Sequence, residues 1–248
     1  LGDVGGPCQH ERMPEMPEVE GLVEFLRGRV VGLQVTRATV SAINALKTYD
    51  PPLTALAGST VTAVDRHGKF VDVTSDAGIH LVFHLAKAGW LRWYEQLPAT
   101  VIRPGKTPIA LRVGFDDGSG FDLTEAGTKK SLAVYVVRRP DEVPGIARLG
   151  PDPLGDDFTR DVLAGLLAGR RTQIKGVLRD QSIVAGIGNE YRSELLFLRG
   201  IDPTRTVREV DARGGLEPLI MLARRTMAIN VRRQIRIFTG VDKRRARH

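Results

Sequence analysis

Apolar positions recur at two different spacings along the chain, and the change between them divides the sequence. Val19, Leu22, Val23 and Leu26 repeat at helical spacing behind Pro17, a residue suited to a helix's first turn, and predict a helix ending near Arg29. Short β-type runs follow at 32–38, 60–65, 69–74, 79–85, 89–94, 109–115, 120–124 and 132–137, punctuated by Gly, Asp and Pro. Many short strands at regular intervals argue for a sandwich or a barrel. Pro98, Pro104 and Pro108 mark a loop between two of them.

The punctuation then changes. Pro140, Pro144, Pro151 and Pro153, with several glycines, make 139–155 an interdomain linker. Beyond it the period is helical, with one helix carrying Phe158 to Leu167 and a second carrying Ile174, Val177 and Leu178. A third runs from Asn189 to Arg199 and a fourth from Leu216 to about Asn230. The expected fold is α+β: a β-rich domain at 14–138 that begins with a helix, the linker, a helical domain at 156–231, and a tail at 232–248. Trp90 and Trp93 read as packing residues.

Composition narrows the class. A hydrophobic fraction of 42% is that of a soluble globular protein, and no apolar run has the length of a membrane span. Residues 1–12 carry Gly, Pro and charge without an apolar core, so they are not a secretory signal. The single cysteine, Cys8, excludes an internal disulfide framework and a multi-cysteine zinc site. The formal charge is +7, but from Ala223 onward nine basic residues face only Asp242, so this end carries +8 and the remainder −1. A polyanion-binding tail and a basic terminus that binds nothing specific are both open readings of that feature.

The candidate chemistry begins at Met13-Pro14-Glu15-Met16-Pro17-Glu18-Val19-Glu20. If translation starts at Met13 and the methionine is trimmed, 1–13 is a leader absent from the mature protein. Pro14 then offers a secondary amine, and α-amino groups titrate at about 7.7–8.0 against about 10.4 for lysine. Attack on a sugar C1′ or a carbonyl would give an iminium that stays positive without holding a proton, the logic of Schiff-base lysines. As written, with Met13 attached, the Pro14 nitrogen is an amide and cannot attack. Glu15 and Glu18 flank it. Glu15 fits general acid–base work, whereas for Glu18 favouring a helix start is an equal reading. Gly186-Ile187-Gly188 lacks the third glycine and the βαβ setting of a dinucleotide loop. Glycines between two helices instead allow tight turns and open backbone amides at a helix N-terminus to a phosphate. A glycine-kinked pair of core helices is the alternative.

The Pro14–Glu20 segment resembles the N-terminal signature of the formamidopyrimidine-DNA glycosylase/endonuclease VIII family, and the matches run in the family's order to about Pro203. The resemblance implies a β-sandwich lobe followed by a helix–two-turns–helix lobe. It implies Pro14 as nucleophile, Glu15 as general acid/base, and Lys69, in Arg66-His67-Gly68-Lys69-Phe70, as a phosphate-binding hairpin lysine that supports the lyase step. His84 matches a phosphate-contacting histidine. Lys175 and Asn189 match phosphodiester contacts of the helix–two-turns–helix, with Tyr191 supporting the same turn.

This chain departs from the family's pattern in three places. Lys87 stands where the family has a methionine that fills the space of the everted base, so Lys87 and Glu18 are candidate lesion contacts. Residues 125–130 replace the arginine–phenylalanine wedge, leaving Lys129 or Lys130 as candidate DNA contacts. The family's four-cysteine zinc finger has no counterpart; Arg232 to Thr239 is long enough only for a stub, and truncation or a shifted frame near Asn230 is an alternative.

The resemblance therefore implies a monomeric base-excision repair glycosylase and AP lyase, cytoplasmic and nucleoid-associated. It would act on damaged double-stranded DNA and need no metal or other cofactor. The alternatives are a catalytically silent DNA- or RNA-binding protein of this fold, or an AP lyase without glycosylase activity.

Overall fold

The computed structural model describes residues 13–103, 107–126 and 130–239. The expected leader up to residue 12, Lys129 and the last nine residues of the expected tail lie outside them.

The chain is α+β, as its periodicity implies. Helix α1 (Met16–Val30) is followed by eight strands: β1 (Val35–Val40), β2 (Val61–His67), β3 (Phe70–Ser75), β4 (His80–His84), β5 (Gly89–Tyr94), β6 (Ile109–Phe115), β7 (Gly120–Glu125) and β8 (Ala133–Val137). The strands form the two four-stranded sheets of a β-sandwich, ordered β1-β6-β7-β5 and β2-β3-β4-β8. Helices α2 (Arg160–Leu167), α3 (Ile174–Val177), α4 (Asn189–Leu198), α5 (Val207–Ala212) and α6 (Leu216–Thr239) follow within the described residues. None of the described helices is long and apolar enough to cross a membrane.

Two compact units emerge. Of the described residues, the first holds Gly32–Thr62 and Thr74–Arg138, with Pro14. Its antiparallel ladders pair β1 with β6, β6 with β7, β5 with β7, and β4 with β8 (His84 opposite Ala133). Phe83 of β4 meets Phe121 of β7, and Phe115 of β6 joins Phe121 to Trp93, each pair of rings 6.2 Å apart. Trp93 is thus a packing residue. Within this apolar interior the Arg112 fork holds Asp122 at 2.7 and 2.8 Å. Arg112 also donates to the carbonyls of Pro98 and Thr100, pinning the loop after β5. A buried pair with its remaining protons satisfied in this way avoids the penalty of an uncompensated charge.

The second unit comprises Glu15–Val31, Ala63–Val73 and the described residues from Arg139 to Thr239. This division departs from the expected one, because α1 and the β2–β3 turn group with the helices and 139–155 belongs to the same unit. The cause is local. Gly21 lets α1 approach α6, where an added Cβ would stand 2.8 Å from Gln234 Cβ. Arg66 near the end of β2 pairs with Asp152 of the supposed linker at 2.7 Å. The core of this unit collects Met16, Phe158, Ile174, Ile183, Ile187, Leu195 and Met227, all essentially inaccessible. Helix α6 runs to Thr239, nine residues past its expected end near Asn230, because the apolar period continues. Val231 follows Met227 into the core and Ile235 packs against it, while Phe238 meets Phe25 of α1 at 6.3 Å. Part of the supposed tail is therefore helix.

Candidate active site

Glu15 lies at the entry of α1 and is 4% exposed. Its carboxylate reaches α4. Oε2 accepts the amide of Gly188 at 2.7 Å and that of Tyr191 at 3.4 Å, while Oε1 accepts the amide of Glu190 at 2.9 Å. The N-cap of α4 is Gly188, which has no side chain to cap with, so Glu15 supplies the cap from elsewhere in the chain. This changes one expectation. The amides of Gly188, Glu190 and Tyr191 already have an acceptor, and that of Gly186 gives its proton to Gln181 Oε1 at 2.9 Å. Of the first-turn amides only that of Asn189 remains open among the described residues, and the Asn189 side chain is exposed beside it.

Glu18 sits one helical turn beyond Glu15. Its Oε2 accepts the Glu15 amide at 3.0 Å, and its Oε1 accepts both the Tyr191 hydroxyl and Gln234 Nε2 at 3.1 Å. Glu18 therefore both caps α1 and joins a polar cluster. Burial pushes its carboxyl above the usual range against the pull of these hydrogen bonds, and neighbouring Glu15 adds to the rise. Burial likewise raises Tyr191, helped by Glu18.

Lys69 enters the same cluster from the β2–β3 turn. Gly68, with φ 58°, occupies the first central position of that two-residue turn, where glycine is favoured. Strand β3 accordingly starts at Phe70, one residue later than the pattern implies. Arg66 steadies the turn by donating to the Gly68 carbonyl at 3.0 Å while pairing with Glu20 and Asp152. Lys69 is 7% exposed, and burial lowers its ammonium although Glu15 and Glu18 pull the other way. Gly188 faces both groups. A Cβ there would overlap Glu15 Oε1 and come within 2.6 Å of Lys69 Nζ.

Glu15, Glu18, Lys69, Tyr191 and the Gly188–Asn189 turn thus converge within one unit. Pro14 precedes Glu15 directly and is half-buried. Lys175 is half-buried on α3, near enough to Asp202 to help lower its carboxyl, though the Thr204 hydrogen bonds do most of that. His84 and Lys87 belong to the other unit. His84 Nδ1 accepts the Ala86 amide at 3.1 Å, which places the proton of a neutral ring on Nε2. Lys87 is exposed in the turn after β4. Lys130, the described one of the two lysines at 129 and 130, donates to the Glu125 carbonyl.

Sequence reasoning missed three contributors. Gln234 was hidden in the supposed tail, although the continuing apolar period of α6 marks it. The Arg66 anchor depends on Glu20 and Asp152, which no motif connects. The close fit of Gly188 could not be separated from ordinary turn glycine. Among the described residues no three His, Cys, Asp or Glu side chains cluster closely enough to hold a metal ion.

Residues 13–130 match the family model described as the formamidopyrimidine-DNA glycosylase N-terminal domain, and residues 149–237 match its H2TH domain. The formamidopyrimidine-DNA glycosylase of Moorella thermoacetica is 37% identical over 199 residues, covering 78% of this chain and 69% of the relative. That of Rhizorhabdus wittichii is 34% identical over 220 residues, covering 87% and 77%. The crystal structure of the MutM (Fpg) protein from Thermus thermophilus superposes with a TM-score of 0.72 at 27% identity, covering 88% of this chain and 76% of that one. The Lactococcus lactis enzyme, solved non-covalently bound to DNA containing an AP site, shares the fold with a TM-score of 0.73 at 23% identity, covering 90% and 82%. With both of its domains matched in order, this chain belongs to the formamidopyrimidine-DNA glycosylase family.

Proposed function

We propose that this protein is a base-excision DNA repair glycosylase with AP lyase activity, working through Pro14 once that residue is the N-terminus. Its partner is damaged double-stranded DNA, in keeping with the relatives' names and the DNA on which the Lactococcus lactis protein was solved. The observation that carries the residue-level reading is the placement of Glu15. Its carboxylate is clamped by α4 amides and directly follows Pro14 in the chain.

The Pro14 nitrogen attacks C1′ of an everted nucleotide. The C1′–base bond breaks and the base leaves with its electron pair and the proton the amine gives up. The C1′–O4′ bond then breaks, O4′ takes its pair and a proton, and an iminium joins Pro14 to the opened sugar. Elimination then cuts the strand on the 3′ side and afterwards on the 5′ side. Glu15 shuttles the proton. A carboxylate has about four lone-pair positions and the amides occupy three, so one stays available. The buried ammonium of Lys69 receives the backbone phosphate beside the lesion, where a second anion offsets its desolvation. His84, Lys175 and Asn189 hold further phosphates, Tyr191 braces the turn, and Glu18 and Lys87 face the lesion. Amine and carboxylate carry each step, so the reaction calls for no metal or redox cofactor. A DNA substrate places the enzyme in the cytoplasm at the nucleoid.

The test is borohydride trapping on an abasic duplex. Protein beginning at Pro14 should give a covalent adduct that maps to Pro14, and protein retaining Met13 should give none. An adduct mapped to Lys69, or no adduct from the Pro14 form, would overturn the mechanism.

A further inference from the structure

We propose that Gln234 is a positioning residue for the glycosylase reaction, holding Glu18 and through it the turn of α1 that carries Glu15. The inference rests on the glycosylase reading above and concerns the stretch of α6 that the sequence presents as a basic tail.

Glu18 is the meeting point of three segments. Gln234 Nε2 of α6 and the Tyr191 hydroxyl of α4 converge on its Oε1, each at 3.1 Å, and the Glu15 amide occupies Oε2 at 3.0 Å. The two donors on Oε1 fix the carboxyl plane, and that plane fixes the amide of the residue next to Pro14. Gln234 has little room to be elsewhere. Gly21, one turn along α1 from Glu18, would with a Cβ stand 2.8 Å from Gln234 Cβ, 2.9 Å from its carbonyl carbon and 2.8 Å from the Phe238 ring. Phe238 closes the far side against Phe25. The helices meet where glycine admits them, and the side chain at that contact reaches the polar cluster rather than solvent.

A neutral donor suits this position. The groups that face Glu18 are Glu15, Tyr191 of α4 and Lys69 of the β2–β3 turn. Burial already pushes the Glu18 carboxyl upward. An amide N–H stabilises its ionised form without a second full charge beside Lys69, whereas a carboxylate at 234 would oppose ionisation.

The experiment compares Gln234→Met, which keeps length and loses the donor, with Gln234→Glu. The Glu18 carboxyl of the full chain is titrated by carbon-13 NMR of labelled glutamate and assigned through Glu18→Gln. This readout does not depend on activity. The Glu18 midpoint should rise by about one pH unit in Gln234→Met and further in Gln234→Glu. If Gln234→Met fails to fold, Gln234→Glu carries the same reading. Unchanged midpoints in folded variants would overturn the proposal.

With protein starting at Pro14, the pH profile of single-turnover base release should move by the same amount while KM for lesion duplex stays put. A profile that keeps its position and only loses amplitude would reduce Gln234 to a helix contact. Should the parent protein release no base while the NMR midpoints move, the glycosylase reading fails and the hold on Glu18 stands.

Discussion

Glu15 and Gly188 are 173 residues apart in the chain and joined by a 2.7 Å hydrogen bond, the carboxylate of one accepting the amide of the other. The bond couples two properties usually treated apart. For α4 it is the N-cap that Gly188 cannot provide; for Glu15, the residue after Pro14, it is a restraint that orients the carboxylate. Capping of α4 and orientation of the Glu15 carboxylate therefore depend on the same bonds.

Gly188→Ala should sever that coupling. The added Cβ would overlap Glu15 Oε1 and meet Lys69 Nζ at 2.6 Å, so the carboxylate must leave and the cap is lost. Overpacking plus a lost cap should cost about 2–4 kcal/mol, with base release and trapping falling at least tenfold. The control is Gly165→Ala in α2, where an added Cβ meets nothing within 4 Å. That change should stabilise by about 0.5–1 kcal/mol and leave activity intact. Urea unfolding and trapping on both variants decide it; equal behaviour would remove the special status of Gly188.

Glu18 should leave a signature in the pH dependence of stability. Its folded pKa lies above the ordinary 4.5, so the stability it lends is fully present below about 4.5 and is lost as pH rises through the folded value. Glu18→Gln cannot ionise and escapes that loss. The stability of the variant relative to the parent should therefore grow as pH rises from about 4 toward neutral. Tyr191→Phe removes a hydrogen bond that lowers Glu18, so it should carry the loss to higher pH. The lowered ammonium of Lys69 acts in the opposite sense, losing stability as pH falls through its folded value, and comparison with the parent largely cancels it. Denaturant unfolding across pH 4–8 is the measurement, and parallel curves for parent and Glu18→Gln would refute the assignment.

Much of this was legible in the sequence. The β-type runs at Gly89–Tyr94 and Ile109–Phe115 coincide with β5 and β6 to the residue, because turn and breaker residues bound both. The Pro-Glu signature and the glycine turn before Asn189 were both legible, and the structure brings Glu15 and that turn together. What stayed hidden were relations between distant segments. Glu15 reads as an acid–base group, and no motif shows that it also caps α4, whose own N-cap is Gly188. Residues 232–239 read as tail because arginines on the exposed face of α6 masked Val231, Ile235 and Phe238. The grouping of α1 with the helical unit depends on Gly21, whose role in a close helix contact cannot be told from that of any other helical glycine.

Arg66 should be as necessary to Lys69 as the hairpin itself. Its side chain is 8% exposed and holds Glu20 at 2.5 Å, Asp152 at 2.7 Å and the Gly68 carbonyl at 3.0 Å. Arg66→Met would strand two carboxylates. Breaking a buried pair costs about 3–5 kcal/mol, and because Glu20 and Asp152 keep 20% and 28% of their side chains exposed, about 2–3 kcal/mol is expected here. The turn would also release Lys69, so trapping should fall more than the fraction unfolded explains. Activity measured where the variant is fully folded by circular dichroism separates the effects; full activity there would show that Lys69 does not need the anchor.

Lys175 and Asn189 should weaken DNA binding in different ways, because one carries charge and the other does not. Each phosphate neutralised by a cation releases condensed counterions, so the slope of log K against log salt falls by about 0.9 for each phosphate that is no longer neutralised. Lys175→Met should therefore lower both the affinity and the slope, by about one unit for the slope. Asn189→Ala removes a neutral donor beside the one first-turn amide of α4 left open by Glu15, and should lower affinity with the slope unchanged. Fluorescence anisotropy with an abasic duplex from about 50 to 200 mM salt gives both quantities. A slope that falls in Asn189→Ala, or holds in Lys175→Met while affinity drops, would reverse the assignment and place Lys175 in a structural role near Asp202.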